Sequence, residues 1–230
     1  FIERFGMLCH QKGNKIAVLA IDPSSAQYGG SILGDKTRMQ ELSALPDVFI
    51  RPSPAGEHLG GVHRCSRETI LLCEAAGFDT ILIETVGVGQ SETEVYHMTD
   101  VFLLLALPGA GDELQGIKRG IMELADIIAI NKTDGNNILK SNETAAQISN
   151  ALHFFPERDN GWTPQVIQCS ALEGKNIDQL YETIERYINH QKIKRLFEEK
   201  RHHQWLHWFE NDLKQRILTD FFSRHQTEID

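Results

Sequence analysis

Short apolar runs separated by amphipathic stretches constrain this chain more than any other feature. Residues 16–21 (IAVLAI), 80–84 (TILIE), 101–107 (VFLLLAL), 127–131 (IIAIN) and 166–170 (VIQCS) read as strands, with 48–50 a shorter candidate. Almost none alternates polar with apolar residues, so both faces of each strand need cover, as in a parallel sheet flanked by helices. The intervening patterns supply those helices: 1–11 ending at Gly13, 36–45 stopped by Pro46, 66–76 closed by Gly77, 113–124, and 142–155. Strand–helix alternation of this kind predicts an α/β fold, a mostly parallel, doubly wound sheet with right-handed crossovers. Ligands of such sheets bind beyond the carboxyl ends of the strands.

The pattern changes after residue 175. No Gly or Pro occurs from 176 to 225, and Ile177, Leu180, Ile184 and Ile188 mark one helical face. A second run carries Leu206, Phe209, Leu213, Ile217 and Phe221, with Trp205, Trp208 and Phe222 beside it. The division expected is a domain over 1–175 and a helical arm over 176–230. Aromatic residues on more than one face suit a partner or a second copy; packing back onto the domain is the competing account.

Composition narrows the function classes. The longest apolar stretch, 101–107, is far too short to span a bilayer. With 23 Lys+Arg against 32 Asp+Glu, a net charge of −9 argues against nucleic acid and anionic membrane as partners while permitting a local phosphate site. Cys9, Cys65, Cys73 and Cys169 show no paired spacing, so a reduced, cytoplasmic chain is expected. The first residues, FIERFGML, read as the inside of a helix.

The sharpest chemical signal is Asn131-Lys132-Thr133-Asp134, directly after IIAI. A carboxylate at a strand's carboxyl end can accept hydrogen bonds from the ring N–H and the exocyclic amino group of guanine. Adenine offers an acceptor at that ring position and would leave the carboxylate unpaired, so such a pocket discriminates by roughly 10⁴ or more. The Lys132 stem can lie along the base while Asn131 ties the loop together; a polar turn after a strand is the plainer account. Cys169-Ser170-Ala171 follows the last strand, where small residues let a backbone N–H approach the base oxygen. Together the two elements specify guanine.

Phosphate and metal candidates lie at other strand ends. Asp22-Pro23-Ser24-Ser25 caps the first run, Gly29 to Asp35 forms a loop ending in an acid, and Glu84-Thr85-Val86-Gly87-Val88-Gly89-Gln90 ends the third. Asp22, Asp35 and Glu84 are oxygen donors that a nucleotide-bound Mg²⁺ can use directly or through its waters. Asp35 also fits a helix N-cap. Gly87 would let a backbone amide approach a γ-phosphate. Gln90 could orient the attacking water, or be a loop residue without direct chemistry. Lys118, in the Gly-rich stretch 108–118, could meet phosphate; a solvated helix face competes for it.

These strings together resemble the G3E family of P-loop GTPases, and more closely its MeaB/MMAA branch, whose members are also labelled ArgK-like or LAO/AO transport ATPases. The resemblance rests on DPSS at 22–25, GGSILGDKTRM at 29–39, ETVGVGQSE at 84–92, GDELQGIKRG at 111–120 and NKTD at 131–134. It implies a P-loop NTPase sheet and a Mg²⁺-dependent GTPase using GTP/GDP, acting as chaperone for an adenosylcobalamin-dependent acyl-CoA mutase of the methylmalonyl-CoA mutase type. It further implies Asp22, Asp35 and Glu84 at the magnesium, and Asn131, Lys132, Asp134, Ser170, Ala171 and Gly87 at the nucleotide. Segments 29–39, 85–95 and 108–120 become three switches, with Lys118 responding to nucleotide, and the arm becomes a homodimerisation element. The family's Gly-rich loop ending Gly-Lys-Ser/Thr does not occur in these residues. A truncated chain lacking the first strand and that loop is therefore expected, with a strand slot left open in mid-sheet.

Other classes make different demands. A non-hydrolysing interaction module would keep the guanine pocket and arm without a phosphate site. A nickel or zinc metallochaperone would need clustered ligands, for which His58, His63 and Cys65, read as a loop, and His202, His203 and His207 are the candidates. A transport ATPase or protein kinase is disfavoured by the guanine motif.

Overall fold

Where the apolar runs predict strands, strands form. The computed structural model describes residues 1–22, 38–54, 59–85, 91–109 and 119–229. Its strands are β1 (Ile16–Asp22), β2 (Val48–Pro54), β3 (Thr80–Thr85), β4 (Leu103–Ala106), β5 (Ile127–Ile130) and β6 (Gln165–Gln168). Between them lie α1 (Ile2–Gln11), α2 (Gln40–Ser43), α3 (Leu59–Ala75), α4 (Ser91–Tyr96), α5 (Arg119–Leu124) and α6 (Ile138–Leu152). Two long helices follow, α7 (Ile177–Ile193) and α8 (Leu196–Ile229), separated at Arg195, whose φ is 61°.

Strand 101–107 contracts to Leu103–Ala106, the described helix within 36–45 is only Gln40–Ser43, the run 142–155 is a helix over Ile138–Leu152, and two helices depart further from expectation. Helix α3 begins at Leu59 rather than near Ser66, so His63 and Cys65 belong to a helix and not to a loop; His58 lies outside the described residues. Gly60 and Gly61 cost about 1 kcal/mol each in a helix, and that penalty concealed the start. Ser66, Thr69 and Cys73 of this helix are buried, and Arg51 of β2 donates to the Thr69 hydroxyl. Helix α4 was not foreseen, because Ser-Glu-Thr-Glu-Val-Tyr carries too few apolar residues to show a period.

All strand pairs are parallel, but they form two separate sheets, ordered β2-β1-β3 and β4-β5-β6. No ladder joins β3 to β4 among the described residues. A cavity of about 1310 Å³ lies between them, lined by the whole of β3, by residues 102–105, and by apolar side chains of α1 and α7. The halves are joined through a common core: Ile16 and Val18 of β1, Ile127 and Ala129 of β5, Phe5 of α1, and Leu180 and Tyr187 of α7 belong to one buried cluster. Helix α1 also packs closely on α2, since a Cβ on Gly6 would lie 2.7 Å from Leu42 Cδ2.

Polar side chains fasten the arm. Asp126, 2% exposed, accepts from the Phe102 N–H at 2.9 Å and pairs with Arg158 at 3.0 Å and Lys200 at 3.6 Å. One turn further along α8, the carbonyls left open after α4 are capped from a distance. Gln204 Nε2 donates to Thr99 O at 2.8 Å, Trp208 Nε1 to His97 O at 3.0 Å and Lys200 Nζ to Asp100 O at 2.8 Å. Arg201 grips the Asp100 carboxylate with two nitrogens, at 2.8 and 2.5 Å. The His97 and His207 rings stack with centroids 4.2 Å apart, and Glu94 lies 3.9 Å from His207.

Burial, then the neighbouring His207, holds the His97 imidazole below its ordinary value; Lys200 acts in the same sense and Glu94 against it. A depressed histidine means that the folded form binds fewer protons than the unfolded one. Its stabilisation is complete above about pH 6.5 and is lost as pH falls through the depressed value. In calorimetry, the drop in unfolding temperature from about pH 7.5 to about pH 5.5 is expected to be smaller for His97→Gln than for the parent.

Candidate functional site

Strand register explains why two distant motifs meet. β5 and β6 are parallel neighbours with Ile130 opposite Gln168, so Asn131 and Cys169 leave the sheet side by side. The emerging loops are then sewn together. Cys169 N–H donates to Ile130 O at 2.8 Å and Thr133 N–H to Cys169 O at 3.0 Å. Asn131 Oδ1 accepts from the Ala171 N–H at 3.0 Å, and the Ser170 hydroxyl donates to Asp134 Oδ2 while accepting from the Glu173 N–H at 3.1 Å. Of the residues read as guanine-binding, Asn131, Lys132, Asp134, Ser170 and Ala171 are thus all brought to one place.

The loop is held in a conformation that sequence propensity does not favour. Lys132 has φ 63°, the left-handed region, which costs an L-residue about 1–2 kcal/mol. Its neighbours over-determine it: Asn131 N–H donates to Ala106 O at 2.9 Å, and Thr133 Oγ1 donates to Ile130 O at 2.9 Å. The half-buried Asp134 carboxylate is oriented by Ser170, itself 0% exposed. Burial pushes the Cys169 thiol up to about 11, so it remains protonated and serves as packing. Beside these groups opens a cleft of about 360 Å³, lined by Asn131, Lys132, Ala171 and Leu172 from the two loops and by Phe1, Arg4 and Met7 of the first helix region.

Sequence reasoning missed three supports. The buried Ser141 hydroxyl of α6 lies 2.9 Å from Thr133 Oγ1 and fixes the 131–134 loop from behind. Asn176, at φ 58°, donates from Nδ2 to Gln168 O at 2.8 Å and closes the second loop. An Asn directly ahead of a helical run is a recognisable signal for such a left-handed position. Arg4, whose Nε donates to Ala171 O at 3.3 Å, has no signal of that kind.

The metal and catalytic candidates are described only in part. Asp22 ends β1 and Glu84 lies on the adjoining β3, opposite Ala20, so both are at the carboxyl end of one half-sheet. Glu84 is half-buried and lines the cavity between β3 and β4. Asp35, Gly87, Gln90 and Lys118 lie outside the described residues. Among the described residues there is no group of three His, Cys, Asp or Glu side chains able to hold a metal ion, and no helix long and apolar enough to cross a membrane. All four cysteines are free thiols.

Residues 1–226 match the family model for methylmalonyl Co-A mutase-associated GTPase MeaB. The chain belongs to the MeaB family. Similar curated proteins include a putative GTPase of Caulobacter vibrioides, 55% identical over 186 residues (81% of this chain, 57% of that protein). GTPase ArgK of Escherichia coli K12 is 45% identical over 223 residues (97% and 67%). The mitochondrial methylmalonic aciduria type A homolog of Mus musculus is 46% identical over 221 residues (96% and 53%). The chain therefore spans between about half and two thirds of the length of these MeaB relatives. The crystal structure of LAO/AO transport system kinase matches with a TM-score of 0.81 and 36% identity, covering 99% of this chain and 67% of that one. HypB from Helicobacter pylori, crystallised in complex with nickel, matches at a TM-score of 0.58 and 16% identity over 82% of this chain and 80% of its own, a likeness of fold alone. The family read from the motif strings and the parallel α/β architecture both stand.

Proposed function

We propose that this chain is the guanine-reading body and helical arm of a Mg²⁺-dependent GTPase that acts as a chaperone for an adenosylcobalamin-dependent acyl-CoA mutase. The observation that carries the nucleotide reading is the junction of the two loops, where Ser170 holds Asp134 and Asn131 holds Ala171. Its parts supply what guanine needs: a half-buried carboxylate for two ring-edge donors, a small-residue loop for the base oxygen, and an apolar Lys132 stem beside the base. Membership of a family described as mutase-associated supports the client, and the exposed row Phe209, Leu213, Ile217 and Phe221 supports a homodimer or mutase contact through the arm.

Hydrolysis needs a phosphate grip as well. In this reading a further parallel strand, bearing the phosphate loop, occupies the cavity between β3 and β4. The open edges of those two strands support it, because buried backbone N–H and C=O groups seek partners. The oxygen-only donors Asp22, Asp35 and Glu84 have the chemistry that Mg²⁺ prefers, and Mg²⁺ would neutralise charge on the phosphates. Gly87 would admit a backbone amide to the γ-phosphate, Gln90 would orient water, and Lys118 would respond to the nucleotide state.

Calorimetric titration of the encoded protein with GDP, GTP and ATP tests the reading. Micromolar or tighter binding of GDP and GTP with no measurable ATP binding is expected; equal affinity for ATP would overturn it.

A further inference from the structure

Ala171 is held through both its N–H and its C=O, which belong to successive peptide planes. Its N–H goes to Asn131 Oδ1 at 3.0 Å, and its carbonyl accepts from Arg4 Nε at 3.3 Å, 167 residues away in sequence. Arg4 belongs to α1, a helix to which the motif analysis assigns no part in recognising the base. Its side chain is exposed and lines the same cleft as Asn131, Lys132 and Ala171.

The base of that side chain is fixed. Phe5 and Cys9 bury one face of α1 in the common core, and the Phe5 ring meets Tyr181 with centroids 6.3 Å apart. Glu3 Oε1 accepts from the Glu41 N–H at 2.8 Å, tying the first turn of α1 to α2. A donor projecting from so constrained a helix holds the Ala171 carbonyl in one direction. The Ala171 carbonyl shares its peptide plane with the Leu172 N–H, so fixing the carbonyl fixes the direction of that donor, and Leu172 lines the same cleft.

We propose that Arg4 is a positioning residue for guanine recognition: by fixing the plane of the Ala171 carbonyl it holds the 171–172 peptide, and with it the Leu172 N–H, ready for the base oxygen and slows release of guanine nucleotides. The proposal rests on the guanine reading above. The donor at Nε can be separated from the charge that strengthens it, because the bond runs from a guanidinium Nε–H to a carbonyl oxygen. That distinction gives a clean pair of variants. Glutamine places an amide nitrogen at the Nε position without the charge, whereas methionine matches the shape and has no donor.

The test measures dissociation of a methylanthraniloyl-labelled GDP from the encoded protein, with unfolding midpoints recorded alongside. Arg4→Met is expected to speed release about fivefold, the value of one hydrogen bond at an exposed site, and Arg4→Gln to stay within about twofold of the parent. Unfolding midpoints should be nearly equal, because Arg4 is exposed. If Met is silent, or if Gln is as fast as Met, the proposal is overturned. Asp134→Asn, run in parallel with xanthosine diphosphate, separates the two levels. If it fails to change base preference, the guanine reading falls and takes Arg4 with it. If it changes preference while Arg4→Met is silent, only the role of Arg4 falls.

Discussion

Asp134→Asn in the encoded protein is expected to weaken GDP binding by about a hundredfold or more and to strengthen binding of xanthosine diphosphate, read by calorimetry. In the proposed reading the carboxylate would accept from both the ring N–H and the 2-amino group of guanine. An amide in its place can accept only one of these and turns an N–H₂ toward the amino group, leaving donor facing donor. Xanthine replaces the amino group with an oxygen that the amide can serve. Ser170 donates to Asp134 Oδ2 and can donate equally to an amide oxygen, so the loop should keep its shape and the change should appear in the base preference. Unaltered preference would refute the assignment of these loops to guanine.

The largest stability effect is expected at Asp126. Alanine there should lower unfolding free energy by about 3–5 kcal/mol in urea titration, the range for breaking a buried ion pair from one side. The carboxylate receives Arg158 at 3.0 Å, Lys200 at 3.6 Å and the Phe102 N–H at 2.9 Å, and burial, then Asp126 itself, pushes the Tyr187 phenol upward. Removing it leaves two cations and a backbone donor facing one another in a nearly closed space. Arg158 would keep its bonds to Glu123 O at 2.6 Å and Ala125 O at 2.7 Å, so its charge would stay in place without its partner. Asp126→Asn retains the acceptor and should lose less. A cost under about 1 kcal/mol for alanine would show that the network is not holding the arm to the domain.

Much of this arrangement was legible in the residues, for reasons that differ by element. Strands β1 and β5 announce themselves because both faces are covered, leaving no polar interruption in IAVLAI or IIAI. The guanine motifs are legible because a strand end fixes where the next residues emerge, so Asn131 and Ser170 could be placed before any contact was known. Helix α3 was read short because Gly60-Gly61 imitates a break and only tertiary packing restores the helix. Arg4 and Asp126 were not legible at all. Their partners lie 167 and up to 74 residues away, and a single charged residue on a helix or after a turn has no periodicity to betray its function.

Helix α8 is 34 residues long, or about 51 Å at 1.5 Å per residue. Among the described residues its hydrogen bonds to residues 94–100 run from Lys200 to Trp208, and about 30 Å of helix lies beyond the last of them. Mechanically this is a lever with a short arm bonded to residues 94–100 and a long arm beyond them. A tilt of about ten degrees at the fulcrum carries the far end through roughly 5 to 6 Å, more than the spacing between neighbouring strands. Whatever grips Ile217 and Phe221 would then feel as a large sweep what residues 94–100 register as a slight turn.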